Sequence, residues 1–329
     1  MDCHVTMVTL SRRSLLAAGA IGAGGMLWAD AGRATAFPFA KQQGPGVYRY
    51  RVGGYQVTAL YDGAWYVPID DKFIRNADRA QVEKALADAF LPPGTLPVTF
   101  TALLVNTGTR LILIDTGTAG QITDTAGVMM DNLRVAGVAA AAVDTVLISH
   151  FHPDHIDGLK TKDGEKVFPN AEILVPGPEW TFWMDDGNLG RATGTVHKYF
   201  LNARRIFRDI AKEVRHFKPG DEVAPGILSV PAYGHTPGHT AFTVHSGSES
   251  LLVVSDTARN PYLFVRHPDW QPQFDMDGPM AARARRAMLD RAAADRTPVA
   301  GYHFPFPAYG HIVRRGAGFD FEPALWSPL

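Results

Sequence analysis

Short apolar runs alternate along this chain with longer amphipathic stretches. Residues 47–51 and 55–61 read as strands joined at Gly53-Gly54, and Asp62-Gly63 closes the second. Val82, Leu86 and Phe90 recur every four residues. That spacing predicts a helix over 77–90 with the three on one face, ended by Pro92-Pro93-Gly94. Residues 99–106 and 110–115 make a second hairpin around Thr107-Gly108, and a helix over 129–136, ended by Gly137, leads into a strand at 145–149. More sheet is expected at 167–170 and 173–175, and helices at 179–186, 196–214 and 280–295. In the helix at 196–214, Tyr199, Phe200, Ile206, Phe207, Ile210 and Val214 share one face, with Arg204, Arg205, Arg208 and Lys212 elsewhere. Apolar strands at 227–230, 251–255 and 298–301 follow. Hairpins, then strand–helix alternation, then the same order again, predict an α/β fold with two sheets.

Length and composition narrow this picture. With 329 residues and 46% apolar content, the chain can bury a large core. A net charge of −1 and a pI near 6.9 offer no basic stripe for a nucleic acid. The first 36 residues read as an export signal. Paired Arg12-Arg13 precedes a run from Leu15 to Trp28 that is too short and too rich in Gly and Ala to span a membrane. Ala34-Thr35-Ala36 then supplies a small-x-small cleavage site. The pattern is that of a twin-arginine signal and predicts a periplasmic or secreted protein. The only cysteine, Cys3, lies in this segment, so residues 37–329 have no disulfide, thiolate ligand or cysteine nucleophile. Those residues carry no short-period repeat or clear linker and read as one catalytic domain.

The densest chemistry follows the strand at 145–149. His150, His152, Asp154, His155 and Asp157 fall within eight residues. His150 and His152 lie two apart and point the same way in an extended segment. Asp154 and His155 come after Pro153, where the chain turns, and can face a second point. Imidazole and carboxylate are ligands that Zn²⁺ and similar ions select, and this geometry suits two ions better than one. Three later positions also place a ligand type just past an apolar strand: His235 in Gly234-His235-Thr236-Pro237-Gly238-His239, Asp256 after 251–255, and His303 after 298–301. Each alone would read as a turn residue or cap. Together they supply enough donors for two ions.

His-x-His-x-Asp-His, then Gly-His-Thr-Pro-Gly-His, a strand-end Asp and a late His resemble the ligand series of the metallo-β-lactamase-fold hydrolases. The similarity runs from Tyr48 to Trp326 and looks closest to the methyl-parathion-hydrolase branch. It includes V-T-A-L-Y-D-G (57–63), L-L-V-N-T-G (103–108), L-I-D-T-G (113–117), H-F-H-P-D-H (150–155), F-P-N-A (168–171), G-H-T-P-G-H-T (234–240) and H-F-P-F-P-A-Y-G-H-I (303–312). The resemblance implies a four-layer αββα sandwich with the metals at one sheet edge. It assigns His150, His152 and His235 to one ion, Asp154, His155 and His303 to the other, and Asp256 to a bridge beside a hydroxide. Asp256 and Asp154 become the candidate catalytic carboxylates, and Asp115 a residue that orients ligands. Histidine rather than glutamate at position 152 argues against the redox-active di-iron relatives. Zinc is the expected metal, and Mn, Co or Fe fit the same donors. Relatives are often dimers, so the resemblance also implies a homodimer.

Aromatic-rich segments at 176–183 and 260–274 follow sheet strands and can wall an apolar pocket. By position relative to the family, Trp183, Phe200 and Phe274 are the candidates to line it, and residues 257–267 depart most from the relatives. His239 and His311 fall near the ligands by motif; His311 is a candidate for contact with substrate or ligands. The chain is expected to hydrolyse a small-molecule lactone, ester or phosphotriester of the methyl parathion type, without the G-x-S-x-G elbow of serine hydrolases. A thioesterase or β-lactamase of the same fold is the nearest alternative. A non-catalytic exported metal-binding protein would be expected to lack a ligand, and all seven positions are filled.

Overall fold

The computed structural model describes residues 38–41 and 43–329, so the expected export signal lies outside the described residues. Residues Gln43–Leu329 form one unit built on two seven-stranded sheets. The first contains β1 (Val47–Val52), β2 (Tyr55–Pro68), β3 (Thr95–Asn106), β4 (Leu111–Ile114), β5 (Thr145–Leu147), β6 (Glu172–Pro176) and β7 (Val214–Phe217), in that spatial order. The second contains β8 (Glu222–Ala224), β9 (Ile227–Pro231), β10 (Thr240–Ser246), β11 (Glu249–Ser255), β12 (Val299–Gly301), β13 (Tyr309–Arg315) and β14 (Gly318–Pro323), again in chain order across the sheet. Both are mixed: β4 to β7 run parallel in the first, and only the β11–β12 pair does so in the second.

The period-two pattern of the strands builds the layers. Leu103, Val105, Ile112 and Ile114 face the second sheet and meet Phe242, Val244, Leu251 and Val253 there. Their alternate neighbours, Leu104 and Leu113, face outward to helices. On the second sheet Leu252 and Val254 face the opposite outer layer. That layer is α7 (Gly278–Asp295), packed through Met288, Leu289 and Ala292. The first sheet is covered by α1 (Arg79–Asp88), α2 (Met129–Val135), α4 (Gly177–Met184) and α6 (Gly194–Phe207). Two single-purpose turns, α3 (Pro153–Ile156) and α5 (Asp186–Arg191), complete the helices. Helices outside two face-packed sheets make the αββα sandwich. Among the described residues no helix is long and apolar enough to cross a membrane.

Several boundaries differ from those expected. The strand at 55–61 does not close at Asp62-Gly63; a bulge there carries β2 on to Pro68. The bulge turns buried Asp62 toward the 118–129 loop, where its carboxylate accepts from Thr118 N, Thr118 Oγ1 and Met129 N. Residues 167–170 form a turn instead of a strand, with Phe168 plugged into the core. The helix expected at 196–214 ends at Phe207, and Val214 opens β7. Ile206, Phe207, Ile210 and Val214 keep a helical spacing because helix, turn and strand all face the same core. Phe90 is not on the buried face of α1: it leaves the helix with φ 55° and is 96% exposed, while Leu86 is fully buried.

These placements make opposite predictions for two neighbours in one heptad. In denaturant unfolding, Leu86→Ala is expected to lose about 2–5 kcal/mol of stability. Phe90→Asn, at a position asparagine accepts at positive φ, is expected to stay within about 0.5 kcal/mol of the parent.

Candidate metal centre

Strand direction sets the site. β4, β5, β11 and β12 all end at the same edge of the sandwich, and β9, antiparallel to the same neighbour as β11, ends there too. The loops that follow deliver Asp115, His150 to His155, His235, Asp256 and His303. Loops past strand carboxyl ends are where α/β sheets gather ligands. Two cross-sheet hydrogen bonds close the edge: Thr240 N to Ser149 O at 3.0 Å and Thr101 N to Tyr302 O at 2.9 Å.

Seven side chains converge in two groups. Ligand atoms of His150, His152, His235 and Asp256 lie within 4.8 Å of one another, as do those of Asp154, His155 and His303. Asp256 stands between the groups. Its Oδ2 is 2.9 Å from His303 Nε2 and 3.2 Å from His235 Nε2, and its Oδ1 is 3.2 Å from His155 Nε2.

Four of the five histidines are oriented from behind. His155 Nδ1 is 2.9 Å from Asp115 Oδ2, His235 Nδ1 is 2.9 Å from Asp275 Oδ1, and His303 Nδ1 is 2.8 Å from the Thr99 carbonyl. Ser149 Oγ donates to Asp115 and so accepts from His150 Nδ1 at 3.0 Å. With their Nδ1 protons engaged, these four rings present Nε2 lone pairs inward, as held imidazoles do in metal sites. His152 alone turns Nδ1 inward, 3.0 Å from His150 Nε2 and 2.9 Å from His235 Nε2. One nitrogen carries at most one proton, so lone pair faces lone pair in at least one of those contacts. Buried His155 Nε2 and Asp256 Oδ1 also have no hydrogen-bond partner. A cation fits such a cage. Neutral imidazoles and carboxylates without sulfur are donors for Zn²⁺ and its first-row neighbours.

The electrostatics show the positive charge that the cage demands. Burial opposes charge on His155 and His235, but Asp154, Asp115 and Asp256 outweigh it at the first and Asp256 and Asp275 at the second, so both are raised. A cation supplies the same charge and leaves those nitrogens as donors. Burial and the neighbouring imidazoles hold His150 and His152 below the ordinary imidazole value, and so unprotonated. Burial opposes charge on Asp154 and Asp256. It is outweighed by His155 at the first and by His303 and His155 at the second, so both stay below the ordinary carboxylate range. His239 is pushed down to about 3 by burial and by His235. It is a neutral post: Nδ1 donates to the Ala232 carbonyl at 2.8 Å, and Nε2 accepts from Asp256 N at 3.1 Å.

The expected pocket residues separate. A cleft of about 580 Å³ opens over His152 and Asp154, lined also by Trp65, Tyr199, Arg259 and Phe274. Phe274 is where expected. Trp183 and Phe200 do not line the cleft: they are 0% and 1% exposed, 4.6 Å apart, in the layer behind His152. Their apolar surface is spent on core packing, and the Trp183 indole is tied to Glu179 at 2.6 Å. His311 is exposed on β13, and no hydrogen bond or ion pair links it to the ligand groups among the described residues. The period of two along β13 turns it to solvent while Ile312 is buried.

Sequence reasoning missed three supporting groups. Asp275 accepts from His235 and, through Oδ2, from buried Arg285 at 2.9 Å. Nothing local marks it, since its partner lies 40 residues away. Glu179, 0% exposed, looks in sequence like an ordinary acidic residue in the first turn of α4. Its carboxylate accepts from Phe151 N, Trp183 Nε1, Thr236 Oγ1 and Gly238 N at 2.6–3.0 Å, joining the loop of His150 to the loop of His235. Burial pushes Glu179 up against the pull of those four donors. Arg259, in the segment after Asp256, sits 3.5 Å from Asp256 Oδ2.

Glu179→Gln would turn an N–H toward a ring of donors. It is expected to lose roughly 2–4 kcal/mol of stability and to lower metal content, measured by thermal unfolding and by elemental analysis of the same preparation.

The profile of the "Metallo-beta-lactamase superfamily" matches residues 97–301, which include every residue of the two groups except His303. Proteins called "Probable metallo-hydrolase" from Mycobacterium bovis and Mycobacterium tuberculosis are each 28% identical over 188 residues, 47% of this chain. The match covers 55% of those relatives, so this chain spans about half their length. Among solved structures, the hydrolase AbOPH is 27% identical with a TM-score of 0.81, over 87% of this chain and 100% of that one. AidC, a dizinc quorum-quenching lactonase in complex with a product, is also 27% identical with a TM-score of 0.81, over 86% and 99%. Fold, ligand groups and profile agree: the chain belongs to the metallo-beta-lactamase superfamily.

Proposed function

We propose that this protein is a binuclear metal-dependent hydrolase of carboxylic esters, lactones in particular. The observation that carries the reading is Asp256, whose two oxygens face different ligand groups while Asp154 opens onto a partly apolar cleft. His150, His152 and His235 would hold one ion and Asp154, His155 and His303 the other, with Asp256 shared between the two groups. Divalent ions bound there would supply an activated water and an electrophile toward the carbonyl oxygen, Zn²⁺ being the expected pair. The likeness to a dizinc lactonase over nearly the whole of both chains supports this choice.

The chain's own groups then have distinct tasks. Asp115, Asp275 and the Thr99 carbonyl keep the imidazoles in one tautomer. Asp256 is placed to accept the proton of the hydroxyl added to the carbonyl and to pass it to the alkoxide oxygen as the C–O bond breaks, so that the products leave as carboxylate and alcohol. The Tyr199 phenol, pushed up to about 12 by burial and by the charge of Asp154, stays protonated and can donate to a substrate oxygen. Its ring lies 4.8 Å from His152. Phosphotriester cleavage of the methyl parathion type is the second reading; the motifs shared with that branch and the aromatic wall of the cleft favour it.

The deciding experiment is kcat/KM of the metal-replete protein on a lactone series and on a dimethyl aryl phosphotriester in one preparation. Lactone turnover exceeding that of the triester is expected; the reverse order would move the protein to the organophosphate hydrolases. Two ions per chain are expected by elemental analysis. His150→Ala should lose one of them preferentially, whereas Asp256→Ala should lose metal and activity together. Full metal content and full rate in either variant would refute the ligand assignment.

A further inference from the structure

Two buried arginines stand near this site and differ in one respect. Arg285, 1% exposed, spends its guanidinium on protein: Nε donates to Thr257 O, and the other nitrogens to Pro268 O, Trp270 O and Asp275 Oδ2. Arg259 is 8% exposed, and among the described residues no hydrogen bond holds its guanidinium. Its one carboxylate within 4.0 Å is Asp256, at 3.5 Å, through an oxygen that already faces His303 and His235. The guanidinium lies on the face of Phe274, 4.5 Å from the ring centroid, and lines the cleft. None of its nitrogens is among the sealed polar atoms that lack a partner, so the donors open to the cleft, where a ligand can take the bonds that protein does not.

The placement is rigid. Asp256 N is held by His239, Thr257 O by Arg285, and Asn260 Oδ1 accepts from Tyr262 N and Leu263 N. The ring of Phe274 backs the guanidinium. Charge runs the same way: the charged side chains lining the cleft are Arg259, exposed Lys198 and Asp154, two cations against one carboxylate, an excess of one positive charge. A neutral ester would leave that excess uncompensated. A planar carboxylate takes two parallel N–H bonds from a guanidinium.

We propose that Arg259 is a specificity-determining residue that binds a carboxylate carried by the substrate, so that the protein acts on acidic esters or lactones in preference to neutral ones. The proposal rests on the hydrolase reading above. Its test compares 4-nitrophenyl hydrogen glutarate with 4-nitrophenyl pentanoate, which share leaving group and chain length. In the wild-type protein kcat/KM for the acidic ester is expected to be higher by about tenfold or more, the usual worth of a charge-assisted pair. Arg259→Gln should abolish the ratio, and Arg259→Lys, which keeps the charge and loses the fork, should keep part of it. Equal rates in the wild type, or a ratio that survives in Arg259→Gln, would overturn the proposal. The wild-type comparison stands even if a variant does not fold.

Calorimetry of glutarate against pentanoate on the metal-replete protein, which offer the metal ions the same carboxylate and differ in the second one, reads the same preference without turnover. Glutarate is expected to bind more tightly, with the difference lost in Arg259→Gln. If neither ester is cleaved, the hydrolase reading fails and the calorimetric difference still decides the role of Arg259. Equal binding of the two ligands would refute that role.

Discussion

The site hangs on one buried carboxylate. Asp256 is 1% exposed, yet His303, His155, Arg259 and His235 favour its ionised form against burial. An ion so placed is tolerable only with compensating charge on more than one side. The surrounding architecture supplies it: β11 brings the residue to the sheet edge, Ser255 turns there with φ 45°, and His239 fixes the next amide. His239 can do so only as a neutral ring, and burial keeps it neutral. The second histidine of Gly-His-Thr-Pro-Gly-His is thus a strut for the carboxylate, while the first is a ligand candidate.

Glu179 and Asp62 show the same economy at the loops. Each is a buried carboxylate that accepts several bonds from segments with no repetitive structure. Glu179 joins the loop after β5 to the loop after β9, and Asp62 joins the bulge of β2 to residues 118–129. Irregular backbone has no ladder to satisfy its amides, so a buried side chain must. This is why loops can be the most ordered part of the edge where precision is required.

Much of this was legible in the sequence, and the limits have physical causes. The ligand positions could be read because each follows an apolar strand, and strand ends gather at one edge whatever the details of the loops. The two sheets followed from the order of hairpins and strand–helix units, and their packing as an αββα sandwich from the family resemblance. Helix ends were misjudged at Phe207 because one apolar spacing serves a helix, a turn and a strand that share a core. Trp183 and Phe200 were misplaced because an aromatic residue near a cleft in sequence can sit one layer behind it. Arg259, Asp275 and Glu179 were invisible because their meaning lies in partners far along the chain, or in the lack of any.

The two candidate groups draw on both sheets. His150, His152, Asp154 and His155 arrive from the first sheet, and His235, Asp256 and His303 from the second. Neither half of the chain holds a complete set for either ion. A bound ion is therefore a tie across the sandwich, and its binding energy adds to the docking of the two sheets. The centre cannot exist before the contacts most distant in sequence have formed, so in folding it belongs among the last structures to appear.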